Sequence, residues 1–281
     1  MRTRIIAGLL GLPILAAVVI LGDLWLLIAT AIVAVIGLRE FYRAFLPQSR
    51  GKTPQDKRIA LLLAHIAGYA AAAAHFVLLP LLDFADFLPA MLIILMLIPV
   101  LAMVLTVAQG KTRDVVTPLA VVSGHLYVVV ALSAIYLLRV EMGGAYEVWL
   151  IFIAAWGCDT GAYITGKTFG KRKLAPVLSP NKTLEGAIGG TLTATLLGAA
   201  YGVILLVMDA GGSYNIWLFA AVACFCSIAA QFGDLSASAI KRQQGIKDFG
   251  RIMPGHGGVL DRFDSVLFAA PVAFVIFWIL R

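Results

Sequence analysis

The chain is 281 residues long, 61% hydrophobic and only 13% charged, with a mean hydropathy of +0.96. A soluble globular domain is closer to half apolar and about a quarter charged, so a water-soluble fold is excluded as the home of this much apolar surface. The net charge of +7 could suit nucleic acid, but the basic residues fall between long apolar runs, where they face lipid headgroups instead, and no nucleic-acid partner is expected. In chain order the runs cover residues 5–22, 24–38, 59–82, 88–108, 119–138, 148–165, 186–208, 216–233 and 265–280. Most are long enough to cross about 30 Å of hydrocarbon as helices. The fold class expected is therefore an all-α polytopic membrane protein with about nine transmembrane helices. The first two runs form a hairpin turned at Asp23. MRTR followed by an apolar run resembles a signal peptide, but Arg39, Glu40 and Arg43 stand where a cleavage site needs small residues, so retained helices are expected.

With the N-terminus in the cytoplasm, 20 of the 22 Lys and Arg residues fall on the cytoplasmic side, leaving Arg139 and Arg281 outside. This is the positive-inside bias, and it puts the C-terminus on the outer side. Residues 1–140 read as N-terminal transmembrane scaffold helices. Residues 141–281 read as the C-terminal transmembrane catalytic part, with its active site on the cytoplasmic side; together they form one integral membrane unit. In the scaffold His65 and His75 lie ten residues apart on one helix and His125 on another; with no carboxylate in reach by sequence, packing is the expected role. Cys158, Cys224 and Cys226 all lie in apolar runs and read as small packing residues, with no structural disulfide.

From residue 158 onward the character changes. Asp159 interrupts an apolar stretch, AAWGCDTGAY, where a carboxylate is costly unless it meets a polar cavity, a cation or a partner. GAYITGKT, residues 161–168, matches the phosphate-binding pattern G-x-x-x-x-G-K-[ST]. That loop needs a preceding strand in a soluble α/β layer, and an apolar helix precedes it here, so Lys167 is expected to end a helix as a point charge. GKTFGKRKLAPVLSPNKTLEG follows, with Lys167, Lys171, Arg172, Lys173 and Lys182 in twenty-one residues. Ser179-Pro180 reads as a helix N-cap and first helical residue, with Thr183 and Glu185 in the first turns, beside a helix end suited to anions. Gly186 and Gly190 form a small-xxx-small packing face.

The densest stretch is QFGDLSASAIKRQQGIKDFGRIMPGHGGVLDRFDS. If residues 234–242 continue the eighth helix, Asp234, Ser238 and Lys241 share one face, with Arg242 on the next. A glycine-rich loop then precedes Asp261 and Asp264, which point the same way at a positive helix end. With Asp159 they make an all-oxygen site suited to Mg²⁺ or Mn²⁺, and the carboxylate count leaves room for a second cation of unnamed identity. Phosphoryl or nucleotidyl transfer needs no nucleophile–base pair when the attacking group is itself a phosphate oxyanion. It needs neutralisation and in-line positioning, which Asp-held metal with Lys and Arg can supply.

SAIKRQQGIKDFGRIMPGHGGVLDRFD, Ser238 to Asp264, resembles the signature of the phosphatidate cytidylyltransferases (CDP-diacylglycerol synthases) of the bacterial type. The upstream block CDTGAYITGKTFGKRKLAPVLSPNKTLEG is similar to that family's second block, with Asn181 and Leu184 departing from its usual S-P-K-K-T-W-E-G. The resemblance implies transfer of a cytidylyl group from CTP to phosphatidate in the bacterial cytoplasmic membrane. It implies a metal on Asp234, Asp261 and Asp264, with Asp159 as a further metal ligand or lysine partner. Lys241, Arg242 and Arg262 would neutralise phosphates, with Lys167, Lys182 and Ser179 on the opposite wall. Lys171, Arg172, Thr183, Ser238 and Lys247 complete the phosphate-binding set, and Lys247 could equally pair with Asp248. His256 would either donate to a phosphate or pin its loop. The lipid bilayer is the expected surrounding, and a homodimer is a common arrangement for such bundles. A CTP-dependent lipid kinase uses similar groups, and a transporter is a third reading. The latter predicts midplane ionisable residues in both halves and an internal repeat, neither of which is seen. The spaced D-G-x-x-A-R block of the CDP-alcohol phosphotransferases is absent.

Overall fold

The computed structural model describes residues 2–45, 55–107, 116–208, 215–253 and 257–280. His256, its neighbours Pro254 and Gly255, and the loop residues Arg50, Lys52, Lys111 and Arg113 lie outside the described residues. The chain is almost wholly helical. Helices α1 (Arg2–Leu21) and α2 (Asp23–Phe45) form the expected hairpin, turned at Gly22 (φ +63°) and Asp23 (φ 35°). Left-handed backbone is free of steric penalty only for glycine, and Asp is among the few side chains that tolerate it. Arg139 Nε donates to the Val19 carbonyl at 3.3 Å, setting a cation where the α1 dipole is negative. Helix α2 runs past the expected end at residue 38 because Leu38, Phe41, Tyr42 and Ala44 continue its buried face.

Helices α3 (Gln55–Leu78) and α4 (Phe84–Val107) follow. Next comes a continuous rod made of α5 (Val116–Gly124), a π-helical turn (His125–Val130) and α6 (Ala131–Val140). Gly124, Val130 and Ala131 all keep right-handed helical dihedrals, so the rod does not break. Within it His125 packs edge-on to His75, with ring centroids 5.4 Å apart, and neither ring has a hydrogen-bond partner. His65 stacks on Tyr42 at 4.8 Å.

Helix α7 (Trp149–Phe169) contains the whole of GAYITGKT. Its backbone N–H groups are spent on the helix, and Thr165 and Thr168 return their hydroxyls to the carbonyls of Gly161 and Ile164 at 2.8 and 2.7 Å. No phosphate-wrapping loop exists there. An antiparallel hairpin follows, β1 (Lys173–Ala175) and β2 (Ser179–Thr183), with Lys173 opposite Thr183 and Ala175 opposite Ser179. One expectation is corrected: Ser179 does not cap a helix, and the short hairpin it belongs to is a small addition to an all-α fold. Helix α8 (Leu184–Val207) is capped by Thr183, whose extended backbone lets its hydroxyl accept the Gly186 N–H at 3.1 Å. Ser179-Pro180 has the right residue types for a helix start, but strand pairing holds it extended.

Gly186, Gly190, Ala194, Gly198 and Gly202 line the buried face of α8. A Cβ at Gly190 would collide with the Cys158 carbonyl and one at Gly186 with the Ala162 carbonyl, so the small residues let α7 and α8 touch. Helix α9 (Ile216–Gln243) continues ten residues past the apolar run, as the Asp234–Ser238–Lys241 face requires, and α10 (Leu260–Leu280) closes the bundle. It packs on α6, α7, α9 and α2, joining both halves in one core. The three cysteines are free thiols, with Cys158 and Cys226 buried. Among the described residues six helices are long and apolar enough to cross a membrane. Large apolar side chains such as Ile93, Leu97 and Val100 on α4 and Leu192 and Leu196 on α8 face outward. The chain is a helical, polytopic protein of membrane type.

Candidate active site

The charged residues gather where the C-terminal parts of α7 and α9 and the start of α10 meet the β1–β2 hairpin. Close contact of α9 and α10 is the first requirement, and Gly233 provides it: a Cβ there would press on the Asp264 carbonyl oxygen. Asp234 and Asp264 thus stand on touching backbones, and Asp159 lies within electrostatic reach of both. Three like charges together are unfavourable unless cations compensate them. Lys182, projected from β2, forms an ion pair with Asp234 Oδ2, and the positive charges of Lys182 and Arg262 also act on Asp159. Ser238, one turn along α9, donates weakly to Asp234 Oδ1 at 3.5 Å. Gln231, two turns before Ser238, ties α9 to α8 through the Ala187 carbonyl (3.2 Å) and Thr191 Oγ1 (2.9 Å).

Asp261 is buried and heavily engaged. Its Oδ1 accepts from Lys241 Nζ at 2.8 Å. Its Oδ2 accepts the backbone N–H groups of Phe249 and Gly258 at 2.8 and 2.9 Å. The side chain therefore closes the loop between α9 and α10 upon itself, and Lys241 also lies over the Phe249 ring at 5.5 Å. A carboxylate offers about four lone-pair directions, and these three bonds leave one direction on Oδ1 unused. Asp264 accepts its neighbour's N–H, from Ser265, at 2.8 Å.

The remaining expected residues spread around this centre. Arg242 reaches the Leu178 carbonyl at 3.5 Å, linking α9 to the hairpin. Lys171 and Arg172 are exposed, and their backbone N–H groups donate to Glu185 at 3.0 and 3.2 Å, fixing the turn that leads into β1. Lys167 is exposed, with Nζ 5.9 Å from the Tyr163 ring. Ser179 is half-buried in β2 and Thr183 buried at the α8 cap. Lys247 lies apart, on the outer side of the loop, lining a cavity of about 570 Å³ with Arg43, Asp248 and Arg251. The structure thus joins Lys182, Asp234, Ser238, Lys241, Asp261, Arg262, Asp264 and Asp159, and leaves Lys167, Lys171, Arg172 and Lys247 on the rim.

Two residues of the scaffold half reach the same place. Glu40 on α2 accepts the N–H groups of Val259 and Leu260 at 3.1 and 2.9 Å. The Tyr127 hydroxyl, on the π-helical turn, is buried without a hydrogen-bond partner and feels the charges of Asp264, Asp234 and Asp261. A π-turn inside an α-helix frequently marks a functional position. Glu40 is visible in sequence as a carboxylate just beyond an apolar run; Tyr127 gives no such signal.

Among the described residues no three acidic, His or Cys side chains stand close enough to close a metal site by themselves. The donor chemistry still fits a hard cation. Asp159, Asp234 and Asp264 offer oxygen donors whose mutual repulsion a divalent ion relieves, and Asp261 keeps one open direction.

Residues 2–280 match the cytidylyltransferase family. Similar proteins include the phosphatidate cytidylyltransferase of Staphylococcus haemolyticus (strain JCSC1435), 43% identical over 143 residues, 51% of this chain and 53% of that protein. The phosphatidate cytidylyltransferase of Staphylococcus aureus (strain COL) is 44% identical over 146 residues, 52% of this chain and 54% of the relative. The aligned stretch spans about half the length of these curated relatives. By its match over nearly the full length, the chain belongs to the cytidylyltransferase family.

Proposed function

We propose that this protein transfers a cytidylyl group from CTP to phosphatidate, giving CDP-diacylglycerol and pyrophosphate. The observation that carries the reading is the convergence of Asp159, Lys182, Asp234, Lys241, Asp261 and Asp264 at one junction of α7, α9 and α10. A phosphatidate oxygen attacks the α-phosphorus of CTP, and the bond from that phosphorus to the bridging oxygen of the β-phosphate breaks. Pyrophosphate leaves with that electron pair. Both reactants are anions, so the barrier is largely their repulsion and their misalignment. Lys182, Lys241 and Arg262 lower the first, with Arg242, Lys167, Lys171, Arg172 and Lys247 drawing the nucleotide toward the rim. Mg²⁺ or Mn²⁺ held by Asp234, Asp264, Asp159 and the open face of Asp261 would supply charge neutralisation at the triphosphate. Ser179 and Thr183 shape the hairpin wall.

The outward apolar side chains of α4 and α8 support placement in a bilayer. Counting α5, the π-turn and α6 as one rod gives nine helices among the described residues, in keeping with nine spans. The basic loop residues favour a cytoplasmic N-terminus and site in a bacterial cytoplasmic membrane, with the C-terminus outside. A homodimer is part of the same proposal and is read out by the mass of the purified particle in detergent.

CTP carrying label at the α- or the γ-phosphate, given with phosphatidate and Mg²⁺ to purified protein, tests the reading. Label from the α-position in the lipid supports cytidylyl transfer; label from the γ-position means a kinase and overturns it.

A further inference from the structure

Glu40 belongs to the half of the chain that has none of the signature residues, yet its side chain is only 3% exposed and ends inside the loop that precedes α10. Oε1 accepts the Val259 N–H and Oε2 the Leu260 N–H. These are donors at the first turn of α10, which have no partner within a helix, and a carboxylate there also meets the positive end of the helix dipole. The loop closes round the carboxylate from both sides: a Cβ at Gly250 or at Gly258 would overlap its oxygens. Gly258 is shared with Asp261, whose Oδ2 takes the Gly258 N–H. Two carboxylates therefore grip adjacent amides of one turn. Glu40 holds Val259 and Leu260 from the scaffold, and Asp261 holds Phe249 and Gly258 from within while pairing with Lys241.

Burying a carboxylate is expensive, and packing alone is better served by an apolar side chain. Glu40 also lies within reach of the negative charge of Asp261 and the positive charge of Arg43. We propose that Glu40 is a positioning residue of the transfer reaction. It fixes the entry of α10, and thereby the direction of Asp261 and Asp264, so that the scaffold half supplies part of the active-site geometry. This inference rests on the cytidylyltransferase reading.

The test uses the full chain purified in detergent, as wild type, Glu40→Gln and Glu40→Ala, with Asp234→Asn as the catalytic control. Glu40→Gln keeps the shape and one acceptor oxygen; Glu40→Ala removes both. Misplacing reacting groups by about 1 Å costs on the order of a hundredfold in rate. The expected result is a kcat about tenfold lower for Glu40→Gln and about a hundredfold lower for Glu40→Ala, with KM for CTP within about threefold of wild type. Tryptic cleavage after the exposed Lys247 and Arg251 should become about tenfold faster in both variants as the loop opens, while the thermal midpoint of Glu40→Gln stays near wild type. Wild-type kcat together with wild-type loop cleavage in both variants overturns the proposal. So does a Glu40→Gln variant whose loss of activity accompanies general unfolding and faster cleavage everywhere. A wild type that moves no α-label into lipid breaks the functional reading instead, and the cleavage and thermal measurements then still report whether Glu40 holds the loop.

Discussion

In the C-terminal half, charged side chains meet one another across elements: Lys182 of β2 with Asp234 of α9, and Lys241 of α9 with Asp261 of α10. In the N-terminal half Glu40 accepts the backbone N–H groups of Val259 and Leu260, and the rings of His75 and His125 meet each other with no hydrogen bond among the described residues. Ion pairs at a helix junction can exchange partners when an anionic substrate or a cation arrives. A carboxylate spent on backbone amides has no such freedom and holds a fixed shape. On the proposed reading the two halves divide the work: one carries exchangeable charge, the other the frame that aims it.

The largest expected effect comes from removing the exchangeable charge. Asp234→Asn or Asp264→Asn should lower kcat/KM by about 10³-fold or more, because each removes a carboxylate that would help hold a divalent cation, and the first also removes the partner of Lys182; steady-state CTP turnover measures it. Lys182→Ala should cost about 10²-fold and leave Asp234 without the ion pair, so its deficit should overlap with that of Asp234→Asn when the two changes are combined. Gly233→Ala sharpens the geometry: the new Cβ pushes on the Asp264 carbonyl, and overpacking of this kind costs about 1–3 kcal/mol, seen as a lower thermal midpoint in detergent. Thr183→Ala should lose about 1 kcal/mol of stability with the α8 cap, whereas Ser179→Ala, which removes no cap, should lose less than about 0.5 kcal/mol. The smallest effect belongs to the frame's interior. His75→Phe replaces an unbonded buried polar ring by an apolar one, which is close to neutral, and transfer activity should remain within about threefold. A large loss there would mean that the scaffold does more than aim.

Much of this division was legible in sequence wherever the signal was local. The apolar runs locate the helices closely except at the C-terminal ends of α2 and α9, which run on to Phe45 and Gln243, and the Asp234–Ser238–Lys241 spacing accounts for the extension of α9. The close packing at Gly186 and Gly190 follows from small residues four apart, and the structure supplies α7 as the partner. What failed was decided by pairing and packing that residue types alone do not report. Ser179 looks like a cap until the strand pairing with Ala175 is known, and Thr183 takes the role because it is where the strand ends. Glu40 lies 219 residues from Val259, so nothing near it hints at its partners. Tyr127 depends on a π-turn that no periodicity in its segment reports. GAYITGKT is a case where context decided correctly: the letters match a phosphate loop, and the helix expected from the apolar run around them removes the amides that a phosphate needs.

The central claim is that the Asp–Lys junction of α7, α9 and α10 moves a cytidylyl group. Its most direct test is release of pyrophosphate and incorporation of α-labelled CTP into phosphatidate, followed together for wild type and Asp234→Asn. One pyrophosphate per labelled lipid in the wild type, and loss of both signals by about 10³-fold in the variant, is the predicted result. Unequal release and incorporation in the wild type, or undiminished transfer by Asp234→Asn, would contradict it.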